Sequence, residues 1–144
     1  MRWGLATFYG IAAYVHLKSP EAFLPIMPDF VPEPRLVVIL TGWCELAGAL
    51  GLLAPRLRRA AGLGLALYAI CVFPANIKHA FDGIELAGIA LDWRYHLPRL
   101  LMQPVFVWMA LFAGGLVDWP WRRQKHDKIV ANLLQPRDKA VALR

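Results

Sequence analysis

A chain of 144 residues has room for one domain. Hydrophobic residues make up 58% of it and charged residues 18%, with a mean hydropathy of +0.45, whereas a soluble domain runs near roughly 45–50% apolar and about 25% charged. The apolar excess is gathered into four stretches nearly free of charge, which excludes an ordinary soluble bundle, whose helices alternate apolar and charged faces every turn.

The first stretch, Trp3–Val15, extends through His16 and Leu17, because Arg2 and Lys18 can snorkel, giving a span of about 3–17. Met1-Arg2 before an apolar run could open a signal peptide. Tyr14-Val15-His16-Leu17-Lys18 has no small-x-small cleavage site, so a retained helix is expected. Lys18–Arg35 holds five prolines (Pro20, Pro25, Pro28, Pro32, Pro34) and reads as a stiff, non-helical loop. Leu36–Ala54 is the second span, close to the roughly 20 residues that cross a ~30 Å hydrocarbon core. Pro55 ends it, and Arg56, Arg58 and Arg59 make a basic turn. Ala60–Ile77 is the third span, with a kink expected where Pro74 frees the carbonyl of Ile70. Lys78–Arg99 follows as a loop, with Ile84–Leu91 as a short interfacial helix, and Leu100–Val117 is the fourth span. Trp119, Pro120 and Trp121 mark the membrane exit, and residues 122–144 form a basic tail. The expected fold is therefore all-α: a four-transmembrane-helix bundle over residues 1–121 (spans about 3–17, 36–54, 60–77 and 100–117), followed by the tail.

Lys and Arg set the orientation. Eleven of them (Arg2, the three arginines of the basic turn and seven in the tail) fall on one side, and five (Lys18, Arg35, Lys78, Arg94, Arg99) on the other. Both termini are accordingly expected in the cytoplasm, with the chain a multi-pass protein of the cell inner membrane. The net charge of +6 then describes topology and not nucleic-acid binding. The partner it implies is the lipid bilayer, whose anionic headgroups the tail could contact.

Few polar groups lie within the spans. Glu45 falls near mid-depth, where a carboxylate costs a few kcal/mol by insertion scales and must face the bundle and find a partner. Helices one and three run outward, two and four inward. His16, Asn76, Lys78, His79, His96, Arg99 and Gln103 then collect in the outer half, with Glu45 their deepest member. Two readings follow. Either Glu45 and Asn76 tie helices together while the others are ordinary interface residues, or His16, Glu45, Asn76, His79, Arg99 and Gln103 line a ligand-binding pocket open to the outer face, able to take a polar head such as a quinone ring. A haem between His16 and His79 is the weaker thought, since histidines at helix ends are common anchors. Cys44 and Cys71 show no CxxC or metal-ligand spacing and read as buried apolar filler, with pairing across facing helices left open; no metal site is expected. Small residues (Gly42, Ala47, Gly48 and Gly51 on helix two; Ala60, Ala61 and Gly64 on helix three) suit close packing of those two helices.

Tyr14-Val15-His16-Leu17, Pro20-Glu21-Ala22-Phe23, Pro32-Glu33-Pro34, Thr41-Gly42, Glu45-Leu46, Arg58-Arg59-Ala60-Ala61 and Phe73-Pro74-Ala75-Asn76-Ile77 occur in an order that resembles the DoxX-like family of small four-helix membrane proteins. A fainter echo is Leu97-Pro98-Arg99-Leu100 with Gln103. The resemblance implies a four-helix membrane bundle whose polar positions include His16, Glu45 and Asn76. The family takes its name from a thiosulfate:quinone oxidoreductase subunit, and other relatives are linked to thiol redox complexes or to chaperoning of membrane receptors. Carrying quinone chemistry across is analogy from fold. The expectation is a redox-associated, quinone-linked subunit that works with a partner redox protein. The alternative is a non-enzymatic chaperone, assembly factor or small transporter.

Overall fold

The computed structural model describes residues 1–84 and 91–118, and among these there are five α-helices, one 3-10 helix and no strand. α1 runs Arg2–Lys18, α2 Pro34–Leu53, α3 Arg58–Cys71, α4 Phe73–Phe81 and α5 Trp93–Gly114. Among the described residues three stretches are long and apolar enough to cross a membrane: Pro34–Leu53, the 24-residue run Arg58–Phe81, and Trp93–Gly114, with mean hydropathies of 2.0, 1.8 and 1.3. At 17 residues α1 is shorter, about 25 Å at 1.5 Å per residue.

Side-chain size is distributed the wrong way round for a water-soluble bundle. The interior holds mostly small residues (Ala6, Ala13, Ala49, Ala66, Ala69, Ala110, Ala113) around Leu5, Leu52 and Leu65, while Ile11, Leu50 and Leu101 are more than 60% exposed. Small residues let helices approach closely without a hydrophobic driving force between them, and large apolar side chains on the outside require lipid as the solvent. This is a membrane protein.

The helices pack antiparallel in succession. Gly42 of α2 meets His16 and Leu17 of α1, Gly48 and Gly51 of α2 meet Leu65 and Ala61 of α3, and Gly62 of α3 meets Ala110 and Gly114 of α5. The last contact is backbone on backbone: a Cβ built on Gly62 would stand 2.6 Å from the Gly114 Cα, so neither position has room for a side chain. Ala47, Ala60 and Gly64, expected in the α2–α3 seam, face outward instead, because that seam follows Gly48 and Gly51. Cys44 and Cys71, expected as buried filler, are exposed free thiols.

Three expected boundaries are corrected. The third span is not one kinked helix over 60–77: α3 ends at Cys71, Val72 forms the joint, and α4 carries on to Phe81. Pro74 is the cause. It brings no amide to the ladder, yet it is well placed in the first turn of a new helix. The Lys18–Arg35 segment is not wholly non-helical either. Pro20–Ile26 winds as a 3-10 helix that starts at Pro20 and closes with Met27 N–H donating to the Leu24 carbonyl at 3.1 Å. The fourth helix begins at Trp93, seven residues before the expected Leu100. Asp92 caps it by accepting from the Arg94 amide at 3.0 Å, and the charges of Arg94 and Arg99 had removed this first part from an apolar reading. It stops at Gly114 because Gly115 takes the left-handed conformation, φ 75°, and returns its amide to Phe112. The expected interfacial helix lies, but for Ile84 and Leu91, outside the described residues, as do Trp119, Trp121 and the basic tail.

Candidate functional site

A cavity of about 700 Å³ opens where the 3-10 helix, the start of α2, the α3–α4 joint and the first half of α5 surround the end of α1. Its walls are largely apolar, with Phe8, Phe23, Ile26, Phe30, Val31, Val38, Met102 and Phe106 among them. Phe8 of α1 and Phe106 of α5 stack at 5.1 Å between centroids, so an aromatic pair closes the seam between those two helices. The polar lining consists of Tyr9, His16, Thr41, Glu45, Tyr68, Asn76, Arg94, Tyr95, Arg99 and Gln103. A few convergent polar groups in an apolar concavity is the usual build of a small-molecule site.

Glu45 is the centre of the deepest cluster. α2 places it inward by helical spacing with Gly42, Gly48 and Leu52, all buried on the same face. Its Oε1 accepts from the Tyr68 hydroxyl of α3 at 2.7 Å, and its Oε2 lies 2.8 Å from Nδ1 of His16 in α1. One carboxylate thereby joins three helices. The His16 Nδ1–H is directed at the Ala12 carbonyl, 3.0 Å away, so Glu45 Oε2 sits beside that donor without a directed hydrogen bond of its own. Both neighbours of Nδ1 are acceptors; the ring proton therefore sits there, and Nε2 is the nitrogen left over. The His16 ring stacks on Phe23 of the 3-10 helix at 4.2 Å, which fixes its plane at the cavity wall. Tyr9, buried, packs edge-on to Tyr68 at 6.2 Å.

A second cluster forms at the helix joint. Gln103 of α5 donates from Nε2 to the Ala69 carbonyl at 2.6 Å and accepts from Asn76 Nδ2 at 3.3 Å. Ala69 is in the last turn of α3, where carbonyls lose their intrahelical partners, so the Gln103 side chain caps the break that Pro74 makes. Arg99 lines the cavity too. It donates to His79 Nδ1 at 2.7 Å and lies over the Tyr95 ring, 5.8 Å from its centroid. Lys78 closes the rim by donating to the Met27 carbonyl at 2.8 Å and to Asp29 at 2.5 Å, tying α4 to the loop after the 3-10 helix.

Of the six residues singled out in the sequence, His16, Glu45, Asn76, Arg99 and Gln103 line this one cavity, and His79 does not. His79 is fully buried behind Arg99 and against His96, 4.7 Å between ring centroids, with Nδ1 taken by the arginine. His16 Nδ1 is engaged by Glu45 and Ala12. Among the described residues no group of three or more His, Cys, Asp or Glu could hold a metal ion. Tyr9 and Tyr68 escaped the sequence reading. The signal available was that a tyrosine deep in an apolar span needs a partner for its hydroxyl, and Glu45 needs a donor.

No curated protein and no solved structure matches the chain. Residues 5–114, from the first turn of α1 to the end of α5, match the family described as a domain of unknown function, DUF8561, and the chain belongs to that family.

Proposed function

We propose that this protein is a four-span, DoxX-like subunit of the cell inner membrane, with its basic end in the cytoplasm, that binds the polar ring of a quinone in the 700 Å³ cavity. α1, α2, the α3–α4 pair and α5 are the four spans. The observation that carries this reading is the position of His16: its Nδ1 is engaged by Glu45 and Ala12, its ring forms part of the cavity wall, and Nε2 remains to meet a ligand. A lone pair on Nε2 accepts a quinol hydroxyl. Oxidation of a quinol releases two electrons and two protons. His16 takes one proton at Nε2, and the Glu45 carboxylate 2.8 Å from Nδ1 stabilises the imidazolium. The second proton leaves to water at the open mouth, and the electrons pass to a partner redox protein. Reduction of a quinone runs the same steps backwards. The apolar walls suit the ring and the first part of its chain.

A second reading is favoured by one specific observation. Glu45 with Tyr68 and His16, and Gln103 with Ala69 and Asn76, join different helices, which is what purely structural ties look like in a membrane chaperone, assembly factor or small transporter. Titration of the full chain in nanodiscs with a short-chain quinol separates the two. Wild type should bind, and His16→Ala, which removes the acceptor, and Glu45→Gln, which removes the carboxylate beside Nδ1, should each weaken binding about tenfold, the worth of roughly one hydrogen bond. Equal affinity in all three proteins, each checked for a native melting transition, sinks the quinone reading.

A further inference from the structure

The opposite end of the bundle holds a second cavity, about 490 Å³, enclosed by the first turn of α1, the α2–α3 turn and the end of α5. Four arginines line it, Arg2, Arg56, Arg58 and Arg59, and Asp118 is the one acidic residue among the described lining residues. These arginines come from two places in the chain and meet only because the bundle folds antiparallel. The backbone contact of Gly62 with Gly114 draws α3 and α5 together, leaving the Arg58 carbonyl 3.2 Å from the point a Gly114 Cβ would occupy. The start of α3 and the end of α5 thereby form the floor, with no side chain between them. Nε of Arg58 is buried without a hydrogen-bond partner among the described residues.

Four arginines against one aspartate leave the lining of this concavity, at a membrane edge, with a net positive charge that a bound anion would offset. Guanidinium forks match the tetrahedral oxygens of phosphate in a bidentate way that a point cation cannot. The N-terminus of α3, which begins at Arg58 and has no side-chain cap, adds positive dipole on the same side. We infer that this cavity is a binding site for a phosphate group, carried either by the headgroup of an anionic lipid or by a soluble phosphate compound. The arginines hold the phosphate where α1, α3 and α5 meet, independently of the quinone site at the other end.

Native mass spectrometry of the full chain released from detergent tests the lipid source, with cardiolipin or phosphatidylglycerol offered against phosphatidylcholine. Wild type should retain the anionic lipid, and Arg56→Gln/Arg59→Gln should lose about tenfold of that retention, two charges near a lipid surface having been removed. Both positions are exposed, so the fold should persist. Arg35→Gln, whose charge lies at the other end and pairs with Glu21, should retain lipid as wild type does. Inorganic pyrophosphate tests the soluble source: a rise in melting temperature in wild type that the double variant lacks supports the site even when no lipid is retained. Likeness of wild type and double variant in both lipid retention and pyrophosphate shift overturns the inference. So does the absence of both retention and the pyrophosphate shift.

Discussion

The Tyr68 hydroxyl donates to Glu45 Oε1 across 2.7 Å, and this single bond joins α3 to α2 at the floor of the larger cavity. Among the described residues it is the one directed hydrogen bond the carboxylate receives, since Oε2 lies beside His16 without aligned geometry. Tyr68→Phe keeps the ring and its contact with Tyr9 while removing the donor. The variant should lose about 1–2 kcal/mol, read as a lower melting temperature in detergent, since a buried carboxyl oxygen is left without its donor. A melting temperature equal to wild type would show that the bond contributes nothing.

Gln103 makes two hydrogen bonds of unequal length, 2.6 Å to the Ala69 carbonyl and 3.3 Å to Asn76. The shorter one caps the broken helix, so Gln103→Leu should cost about 1–3 kcal/mol, the desolvation penalty of an orphaned buried carbonyl. Asn76→Leu removes only the longer bond and should cost less. Paired urea or thermal unfolding curves in detergent decide the order, and a larger loss at Asn76 would place the main tie elsewhere.

Glycines divide sharply by surroundings. A Cβ on Gly62 meets backbone atoms at 2.6 and 2.7 Å, whereas one on Gly64 meets nothing within 4 Å. Gly62→Ala should therefore push α3 off α5 and destabilise by about 1–3 kcal/mol. Gly64→Ala should hold stability or raise it by up to about 1 kcal/mol, the ordinary helix preference of alanine over glycine. Similar melting temperatures for the two variants would contradict the backbone contact.

How far the sequence could be read depends on which interactions are local. Charge-free runs and prolines mark helices, because the cost of a charge in lipid is a property of one residue at a time. Depth followed as well: Glu45, His16 and Gln103 were placed in one half of the bundle by counting along alternating helices, and all three line one cavity. Partners were not legible. Asn76 pairs with Gln103 and not with Glu45, and Glu45 pairs with a tyrosine that periodicity treats as apolar filler. Such pairing depends on helix rotation, which small-residue contacts such as Gly48 on Leu65 decide, and nothing in a window of hydropathy reports rotation. The start of α5 was missed for a related reason: Arg94 and Arg99 line a cavity, where charge is tolerated inside a helix that otherwise spans lipid.

The two free thiols provide a direct readout of the larger cavity. Cys71 and Cys44 are both exposed, but Cys71 lies in the cavity wall and Cys44 does not. In a Cys44→Ser background, Cys71 should react with a small maleimide, and a quinol at ten times its dissociation constant should slow that reaction about tenfold, since only the unoccupied fraction reacts. Cys44, left alone in a Cys71→Ser background, should react at a rate the quinol leaves unchanged. Should the quinol bind and yet leave Cys71 labelling untouched, its site lies elsewhere on the protein and the assignment of His16 as the group that meets it fails. Protection of both thiols alike would point instead to a general tightening of the bundle.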